Sequence, residues 1–475
     1  MPKDAGRPAT TGGRGGDWQT MRRMVDPFAR ACRVLLAATL PAVLPVEALA
    51  TTYYVRQTVG DDTRDGTSPE TAWKHISKLS SAMQAGDIVY VGPGLYREEV
   101  SVLNDGAPDK RMTFIADATG QRTGDPPGLV MITGAEPIDL SAAAPEAPGV
   151  YKAPFSQPVL GLVEMDGNQF RYWRVKNRKE LPLPEGVSEV DLVKQRPSSF
   201  YYDADAKMLY LHTSDGKPPS THPMEYMARG NGIGMYQKHY VTVMGFTFRH
   251  FIDAGIGFYQ GSSDGIAINN TSYGGRQGIR VYGATKIAAY GNTLFRNENC
   301  GIYFALQSTN GLVLGNSIRW SSQSNNGTAI DNTVFENHEF GISIENADYT
   351  FLRRNRMVGN EKAQLSVIKS DYSSDDNCFA SGGPEQMITD LFFVGHYPTL
   401  ADHQRSQHQD QGSREGGCGP LPAKVEVHKL DEEAKGYTER ARRILSGAEK
   451  SASEAPSSPP AAGAGGGWLK WLLGR

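Results

Sequence analysis

Cysteine is scarce in this sequence, and neither charge sign is in large excess. The 475 residues include only 4 cysteines, which excludes a small domain held together by disulfides. Lysine and arginine number 49 against 52 aspartate and glutamate, for a net charge of −3, so a dedicated nucleic-acid binder with a basic surface is excluded. Hydrophobic residues still make up 39% of the chain, which is enough for a large core.

Long hydrophobic runs are scarce as well, and one short run lies near the start of the chain. It extends from Val34 to Val46, is interrupted by prolines, and follows the basic pair Arg22 and Arg23. A membrane span needs about 20 apolar residues, so we expect no stable span here. The run ends before an Ala-x-Ala sequence that closes at Ala50, which predicts a cleaved secretory signal and a secreted or periplasmic protein. An uncleaved N-terminal anchor is the alternative.

Composition and strand patterns divide the rest of the chain. We expect a cap with a helix that begins at Ser68 and Pro69 and ends at Gly86, because apolar residues recur there at helical spacing. The predicted regions are a signal peptide with its preceding tail (1–50), an N-terminal cap and first coils (51–140), an antiparallel β insertion (141–230), a β-helix body with its terminal coil (231–420), a C-terminal helix (421–447), and a disordered linker with a short amphipathic tail (448–475).

A Gly-Ile block recurs in the second half of the chain. Four copies begin 23 residues apart, at Gly232, Gly255, Gly278 and Gly301, and a fifth begins at Gly341. Such short strands cannot bury an apolar face alone, but stacked coils of them form one continuous core. The repeat therefore predicts an all-β fold, a parallel β-helix with the isoleucines facing inward.

An asparagine column runs in phase with the Gly-Ile blocks. Each asparagine ends one short strand and precedes another, so the side chains can bond to their copies in neighbouring coils. We predict a structural ladder made of Asn270, Asn292, Asn316, Asn332 and Asn355.

Three stretches resemble the secreted right-handed parallel β-helix proteins of the pectate-lyase-like superfamily. They are "TYYVRQTVGDDTRDGTSPETAWKHISKLSSAMQAGDIVYVGPGLYRE", which is similar to the N-terminal cap of that family, the repeat in 231–360, and the segment 374–413, which is similar to a final coil. The resemblance implies the fold. It leaves the activity open, because the architecture hosts lyases, hydrolases, epimerases, esterases and non-catalytic proteins, and the catalytic motifs of polygalacturonases and mannuronan epimerases are absent.

Alternation along each Gly-Ile strand sends two columns of side chains outward. One outward column carries Tyr236, Tyr259 and Tyr282 in successive coils. Exposed aromatic rings are natural platforms for the apolar faces of sugars, so we predict that these tyrosines bind substrate. A ladder that only rigidifies the sheet is the alternative.

The other outward column suggests chemistry. Elimination or epimerisation at a uronic acid needs a cation beside the C6 carboxylate and a group that moves the C5 proton. We predict Arg280 as the clamp or base, with Tyr303 or His338 as its partner, and Arg276 and Glu345 as alternates. Surface groups without a catalytic role would show the same pattern.

The sequence favours a secreted carbohydrate-active protein, most plausibly a polysaccharide lyase or epimerase that acts on an acidic polysaccharide as a monomer. One alternative is a non-catalytic polysaccharide-binding or exopolysaccharide-associated surface protein. Another is a glycoside hydrolase, which needs two carboxylates. Glu345, Glu339 and Asp331 are the candidates for that pair, and their spacing selects none.

No cofactor is certain from the sequence. Asp-rich turns could bind calcium, and no His/Cys cluster has the spacing of a zinc site. Cys378 and Cys418 flank the terminal coil and could pair in an oxidising compartment. The aspartates of the two candidate calcium turns are Asp61, Asp62, Asp65 and Asp371, Asp375, Asp376.

Overall fold

A computed structural model describes most of the chain between residues 50 and 419. The predictions for 1–49, 421–475, Asn316, His338, Glu339 and Asp371 lie outside the described residues, as does the side chain of Glu345. The described residues are 50–165, 171–176, 182–305, 308, 311–314, 318–320, 328–335, 340–345, 350–360, 362–368, 372–380, 388–390 and 395–419.

The N-terminal region begins the stack of coils with short strands and one small helix. Its elements are β1 (Thr52–Val55), a 3₁₀ turn (Ile76–Lys78), α1 (Leu79–Ala82), β2 (Ile88–Val91), β3 (Gly94–Tyr96), β4 (Val100–Val102), β5 (Met112–Ala116), β6 (Val130–Thr133) and β7 (Ala135–Pro137).

The capping helix is present but begins later than the sequence suggests. The backbone N–H of Trp73 donates to Tyr54 O (3.0 Å) and Trp73 O accepts from Arg56, so this stretch pairs with β1 instead of coiling. Helical structure starts at the 3₁₀ turn, where the buried Glu98 carboxylate accepts the N–H groups of Ile76 and Ser77. A distant carboxylate thus takes the capping role expected of Ser68.

The middle region forms two small sheets with their own core. A five-stranded sheet has the order β11-β12-β13-β9-β8, and a three-stranded antiparallel sheet has the order β10-β14-β7. The sequence did not indicate α2, although Ser188 and Asp191 form a capping box at its start. The elements are β8 (Ala144–Ala147), β9 (Val150–Pro154), β10 (Leu162–Glu164), β11 (Trp173–Arg174), α2 (Glu189–Gln195), β12 (Ser199–Asp203), β13 (Met208–His212), a 3₁₀ turn (Pro219–Thr221) and β14 (Met224–Met227).

The Gly-Ile blocks form the longest strands of the β-helix body, and the short strands between them complete each coil. The elements are β15 (Asn231–Tyr236), β16 (Val241–Met244), β17 (Thr247–Arg249), β18 (Ala254–Tyr259), β19 (Ile266–Ile268), β20 (Thr271–Tyr273), β21 (Gln277–Tyr282), β22 (Ala288–Tyr290), β23 (Thr293–Phe295) and β24 (Cys300–Ala305).

The last coils continue this order and end at a helix and a two-residue strand. The elements are β25 (Leu312–Leu314), β26 (Ile318–Trp320), β27 (Thr328–Ile330), β28 (Thr333–Phe335), β29 (Phe340–Glu345), β30 (Thr350–Arg353), β31 (Arg356–Val358), β32 (Ala363–Ile368), β33 (Tyr372–Asp375), β34 (Cys378–Ala380), β35 (Ile388–Asp390), β36 (Gly395–Tyr397), α3 (Leu400–Gln407) and β37 (Arg414–Glu415).

Two ten-stranded sheets run the length of the coil stack. The first sheet has the order β1-β2-β5-β16-β19-β22-β25-β27-β30-β33, and the second has β4-β15-β18-β21-β24-β26-β29-β32-β35-β36. The third side consists of β3-β6-β17-β20-β23 and, separately, β28-β31-β34-β37. All pairs along these stacks are parallel except β35 with β36. The predicted right-handed parallel β-helix is confirmed.

The core lies between these sheets. In the second sheet Ile256 pairs with Ile233 on one side and Ile279 on the other, and all three are fully buried. Each buried isoleucine contributes roughly 2 kcal/mol of hydrophobic stabilisation. The register repeats coil after coil, so every outward residue also lies above its copy in the previous coil.

Asparagine amides bridge the coils at the turn between the first and third sides. The Asn270 amide donates to Asn292 Oδ1 (3.0 Å), and Asn332 donates to Asn355 Oδ1 (2.6 Å). Asn355 in turn donates to Asn377 Oδ1 (3.0 Å), a ladder member that the sequence analysis missed. The ladder ends where Asn377 donates to the Asp410 carboxylate.

A disulfide joins Cys378 in β34 to Cys418, which lies just after β37. Their Cα atoms are 5.6 Å apart. The structure thus brings together the two cysteines proposed to flank the terminal coil, and the bond ties the final described residues to the β-helix.

Candidate functional site

Five aromatic and cationic residues meet on the outer face of the second sheet. They alternate with inward residues such as Phe258 and Val281, which are buried, so the pleat itself directs them outward. Parallel pairing sets Arg280 beside Tyr303, and Tyr236 beside Tyr259. We call this set the Tyr–Arg face: Tyr236, Tyr259, Arg280, Tyr282 and Tyr303.

Tyr236 and Tyr259 stack face to face, with ring centroids 4.3 Å apart and planes 6° apart. Tyr236 is 54% exposed and Tyr259 only 6%. Tyr236 therefore offers the open ring of the pair, and Tyr259 supports it from behind. The Tyr259 ring lies across Gly257, where an added Cβ would come within 2.2 Å of it, so this glycine leaves the room that the ring needs.

The Tyr259 hydroxyl is held by two acceptors. It donates to Asp253 Oδ2 (2.7 Å) and to Asn231 Oδ1. Burial, followed by the negative charge of Asp253 and the hydrogen bond to it, raises the pKa of Tyr259 well above its usual value. Tyr259 therefore stays protonated and serves as a fixed donor rather than a base.

Arg280 is the centre of the Tyr–Arg face. Its guanidinium forms an ion pair and hydrogen bond with Asp253, and its side chain is 17% exposed. Three tyrosine rings surround the guanidinium carbon, at centroid distances of 4.8 Å for Tyr282, 5.6 Å for Tyr303 and 5.8 Å for Tyr259. Such cation–π contacts fix the guanidinium in place. Of the predicted catalytic residues, the structure thus brings Arg280 and Tyr303 together.

The turns that lead into these strands carry a second set of charges. Successive turns stack, because Glu298 N donates to Gly275 O (2.9 Å) in the previous coil. Arg276, the alternate candidate, is half exposed, and its Nη1 lies 3.8 Å from Asp253 Oδ1. Glu298 forms an ion pair with Arg171 at 2.8 Å.

Arg171 belongs to the middle region and not to the β-helix body. The sequence analysis missed it, because its partner Glu298 is far away in the chain and no local pattern links them. Arg171 also lies in an irregular segment, so no periodic pattern in the sequence marks it. The contact shows that the inserted sheets reach the turn edge of the Tyr–Arg face.

A buried ionic cluster joins the inserted sheets to the third side of the β-helix. Glu225 of β14 pairs with Arg97 (2.7 Å), Arg249 (3.3 Å) and His250 (3.5 Å). Burial alone would raise the pKa of Glu225, but the hydrogen bond with His250 and the charges of Arg249, His250 and Arg97 outweigh it and hold this pKa well below its usual value. This cluster anchors the insertion that supplies Arg171.

In the first acidic turn proposed to bind calcium, the aspartate side chains accept hydrogen bonds from nearby backbone N–H groups. Asp61 accepts from the N–H of Thr63, Asp65 from that of Thr67, and Asp62 from those of Lys74 and His75. Throughout the described part of the chain, no group of three or more His, Cys, Asp or Glu residues is arranged to hold a metal ion. These carboxylates shape the loop next to β1.

None of the helices among the described residues has both the length and the apolar character required to cross a bilayer.

Comparisons with known proteins identify the architecture. Residues 213–380 match the family model described as "Periplasmic copper-binding protein (NosD)". No curated protein sequence matches the chain.

Several solved structures are similar to this chain. The complex of XylC with xylose has a TM-score of 0.52 and 17% identity, and the match covers 72% of this chain and 67% of that one. A structure titled "Glycoside hydrolase" has a TM-score of 0.41 and 10% identity over 72% of this chain and 95% of that one. Pectate lyase Pel9A has a TM-score of 0.36 and 10% identity over 72% and 69%.

At 17% identity, the likeness to the XylC structure establishes the fold and leaves the activity open. Together with the stacked coils and the asparagine ladder, it shows that the chain folds as a right-handed parallel β-helix.

Proposed function

We propose that this chain is a secreted or periplasmic carbohydrate-active protein that acts as a lyase or epimerase on an acidic polysaccharide, and that the polymer binds on the Tyr–Arg face. One observation carries the proposal: a cation, Arg280, is enclosed by three tyrosine rings beside the exposed ring of Tyr236. Aromatic faces suit sugar rings, and guanidinium groups suit carboxylates.

The chemistry follows from the charge on the sugar. A guanidinium beside the C6 carboxylate of a uronic acid offsets its negative charge, which makes loss of the C5 proton easier. In a lyase the C5–H electrons form the C4–C5 double bond, the C4–O bond breaks, and the leaving oxygen takes a proton. In an epimerase the proton returns to C5 from the opposite face.

The residues divide into exposed and supporting groups. Arg276 is the more exposed guanidinium, so we propose that it meets the carboxylate, with Arg280 held behind it by Asp253. Tyr303 is our candidate for moving the proton, because the adjacent Arg280 stabilises negative charge that develops on its oxygen. The candidate partner His338 lies outside the described residues.

The family model that matches residues 213–380 is described as copper-binding, but the described residues offer no cluster of three or more His, Cys, Asp or Glu to hold such an ion.

The test is incubation of the purified protein with alginate, pectate and glycosaminoglycans. A lyase would produce unsaturated ends that absorb ultraviolet light, and an epimerase would change the uronate composition seen by NMR. Saturated reducing ends would instead indicate a glycoside hydrolase, and retention on these polymers without product would indicate a binding protein. Either result would overturn the lyase or epimerase assignment.

Arg280→Ala should lower kcat/KM by about 100-fold, because it removes the central cation. The double variant Arg280→Gln, Asp253→Asn is the matched control for folding, because it removes both members of the ion pair instead of leaving Asp253 without Arg280. Full activity in both variants would remove Arg280 from the mechanism.

A further inference from the structure

Arg171 is held rigidly at the turn edge of the Tyr–Arg face. Its backbone pairs with Val163 in an antiparallel bridge, and the adjacent Tyr172 is buried. The Tyr172 hydroxyl donates to the buried Glu164 carboxylate (2.5 Å), which also accepts from Ser214 Oγ (2.9 Å). The inserted sheets thus present Arg171 from a fixed base.

The surroundings of Arg171 contain more positive than negative charge. Its side chain is 16% exposed, and Glu298 is the carboxylate paired with it. Burial lowers the pKa of Arg171, Glu298 opposes that shift, and the positive charges of Arg276 and Arg174 add to it. Arg276 lies in the turn next to that of Glu298, since Asn299 N donates to Arg276 O (2.9 Å). The two cations therefore share one edge of the coil stack, where an additional anion would be attracted.

A charge count over the whole edge gives the same result. The ion pairs described here join three guanidinium groups, from Arg171, Arg276 and Arg280, to the two carboxylates of Asp253 and Glu298. The difference is +1, whereas the whole chain carries −3. The positive charge is therefore local, and it lies next to the proposed sugar platform.

We infer that Arg171 forms a second anion-binding subsite next to Arg276, beside the Tyr–Arg face, so that the preferred ligand carries acidic groups on neighbouring sugars. This inference rests on the proposed function and deepens it, since it assigns the inserted sheets a part in substrate selection. The ligand class is an oligouronate with free carboxylates. Glu298 occupies the subsite in the absence of ligand and competes with those carboxylates for Arg171.

The competition gives opposite expectations for the two partners of one ion pair. Arg171→Gln should weaken binding of oligogalacturonate or oligomannuronate by about tenfold, because a charge-assisted contact is lost. Glu298→Gln should strengthen binding several-fold, because the competing carboxylate is gone. A pair with a purely structural role would weaken binding in both variants.

The measurement is the affinity of the full chain for tetrameric uronates at low salt, with the same oligomers methyl-esterified and with neutral xylo-oligosaccharides as comparison ligands. Esterification should reduce the wild-type affinity and abolish the difference between the variants. Arg405→Gln, which removes one exposed cation on α3, is the matched control and should leave affinity unchanged.

The outcomes separate the two proposals. If the wild-type chain binds no acidic oligomer, the proposed function fails and the subsite fails with it. If wild-type binding depends on Arg280 and Tyr236 but both Arg171→Gln and Glu298→Gln leave it unchanged, or shift it in the same direction, the subsite alone is overturned.

Discussion

The two ten-stranded sheets share one core and differ in what they show to solvent. On the first sheet, an outward column of in-register residues is apolar from coil to coil. From β1 to β22 the two outward columns of this sheet hold no charged residue. The first of these columns contains Tyr54, Tyr90, Ile115, Met244, Ile268 and Tyr290.

The second sheet also directs a column of apolar residues, its isoleucines, into the core. Its outer face, however, carries Arg280 among tyrosines and is flanked by Asp253 and Arg276. The inward positions are therefore set by the need for a core, which both sheets meet in the same way. The outward positions are free of that constraint, so the two faces can differ there. We place the proposed site by this contrast and not by the tyrosines alone, because Tyr290 on the first sheet is nearly as exposed as Tyr236.

Damage to the shared core should affect both faces. Ile279→Ala removes a fully buried side chain between Ile256 and Ile302 and should lower the free energy of unfolding by about 4 kcal/mol. Chemical denaturation measures the loss. A loss below about 1 kcal/mol would mean that the coils do not pack as one core.

The insertion contacts the side that bears the Tyr–Arg face, through Arg171 and Glu298, and the third side, through Glu225. Glu225→Gln leaves buried cations without their carboxylate and should cost about 3 kcal/mol at neutral pH. Because folding depresses the pKa of Glu225, its contribution is complete above the unfolded-state pKa of about 4.3 and is lost as pH falls below it.

The difference in unfolding free energy between wild type and Glu225→Gln should therefore shrink on acidification from pH 7 to pH 3. Denaturation at a series of pH values measures it. A difference that stays constant or grows would contradict the charge assignment of this cluster.

The sharpest test of the comparison is a matched pair of tyrosines. Tyr236 and Tyr290 are 54% and 51% exposed, one on each face. Tyr236→Ala should weaken oligouronate binding by about tenfold, because stacking area is lost. Tyr290→Ala should leave it unchanged. Equal effects in a binding titration would show that exposed rings act without regard to the neighbouring cations.

The smallest expected effect is on the apolar face itself. Tyr290→Lys places a charge at an exposed position with no buried partner, so stability should change by less than about 0.5 kcal/mol. Thermal unfolding and ligand affinity should both match those of wild type. A large loss of stability would show that the ring of Tyr290 is part of a packed contact.

The sequence was informative where structure repeats locally. The Gly-Ile period fixes the coils of the body, since each block meets its own copy one turn later. Asn377 follows Asn355 at the ladder spacing and could have been found in the same way, had the column been extended. The capping helix was predicted too long, because the pairing of Trp73 with β1 is a tertiary contact that overrides helical spacing.

The site was only partly predictable for the same reason. Arg280 and Tyr303 could be placed together from the strand alternation, whereas Asp253 had to be seen in contact with Arg280 before its role was clear. Arg171 comes from an irregular stretch of the insertion, and nothing near it in the chain points to Glu298. A contact between a repeat coil and an irregular segment far away in the chain produces no periodic pattern in the sequence.

The hydrogen bonds of the asparagine ladder all run in one direction, and this limits where a further coil could be inserted. The Asn332 and Asn355 amides donate to the oxygen of the next coil, and Asn377 donates to Asp410, whose side chain has no N–H group to donate onward. Ser374 and Ser413 also donate to the same oxygen of Asp410. A coil inserted before Asp410 would extend the ladder. A coil added after Asp410 would receive no hydrogen bond from its side chain, so a longer β-helix would have to gain its coils before this residue.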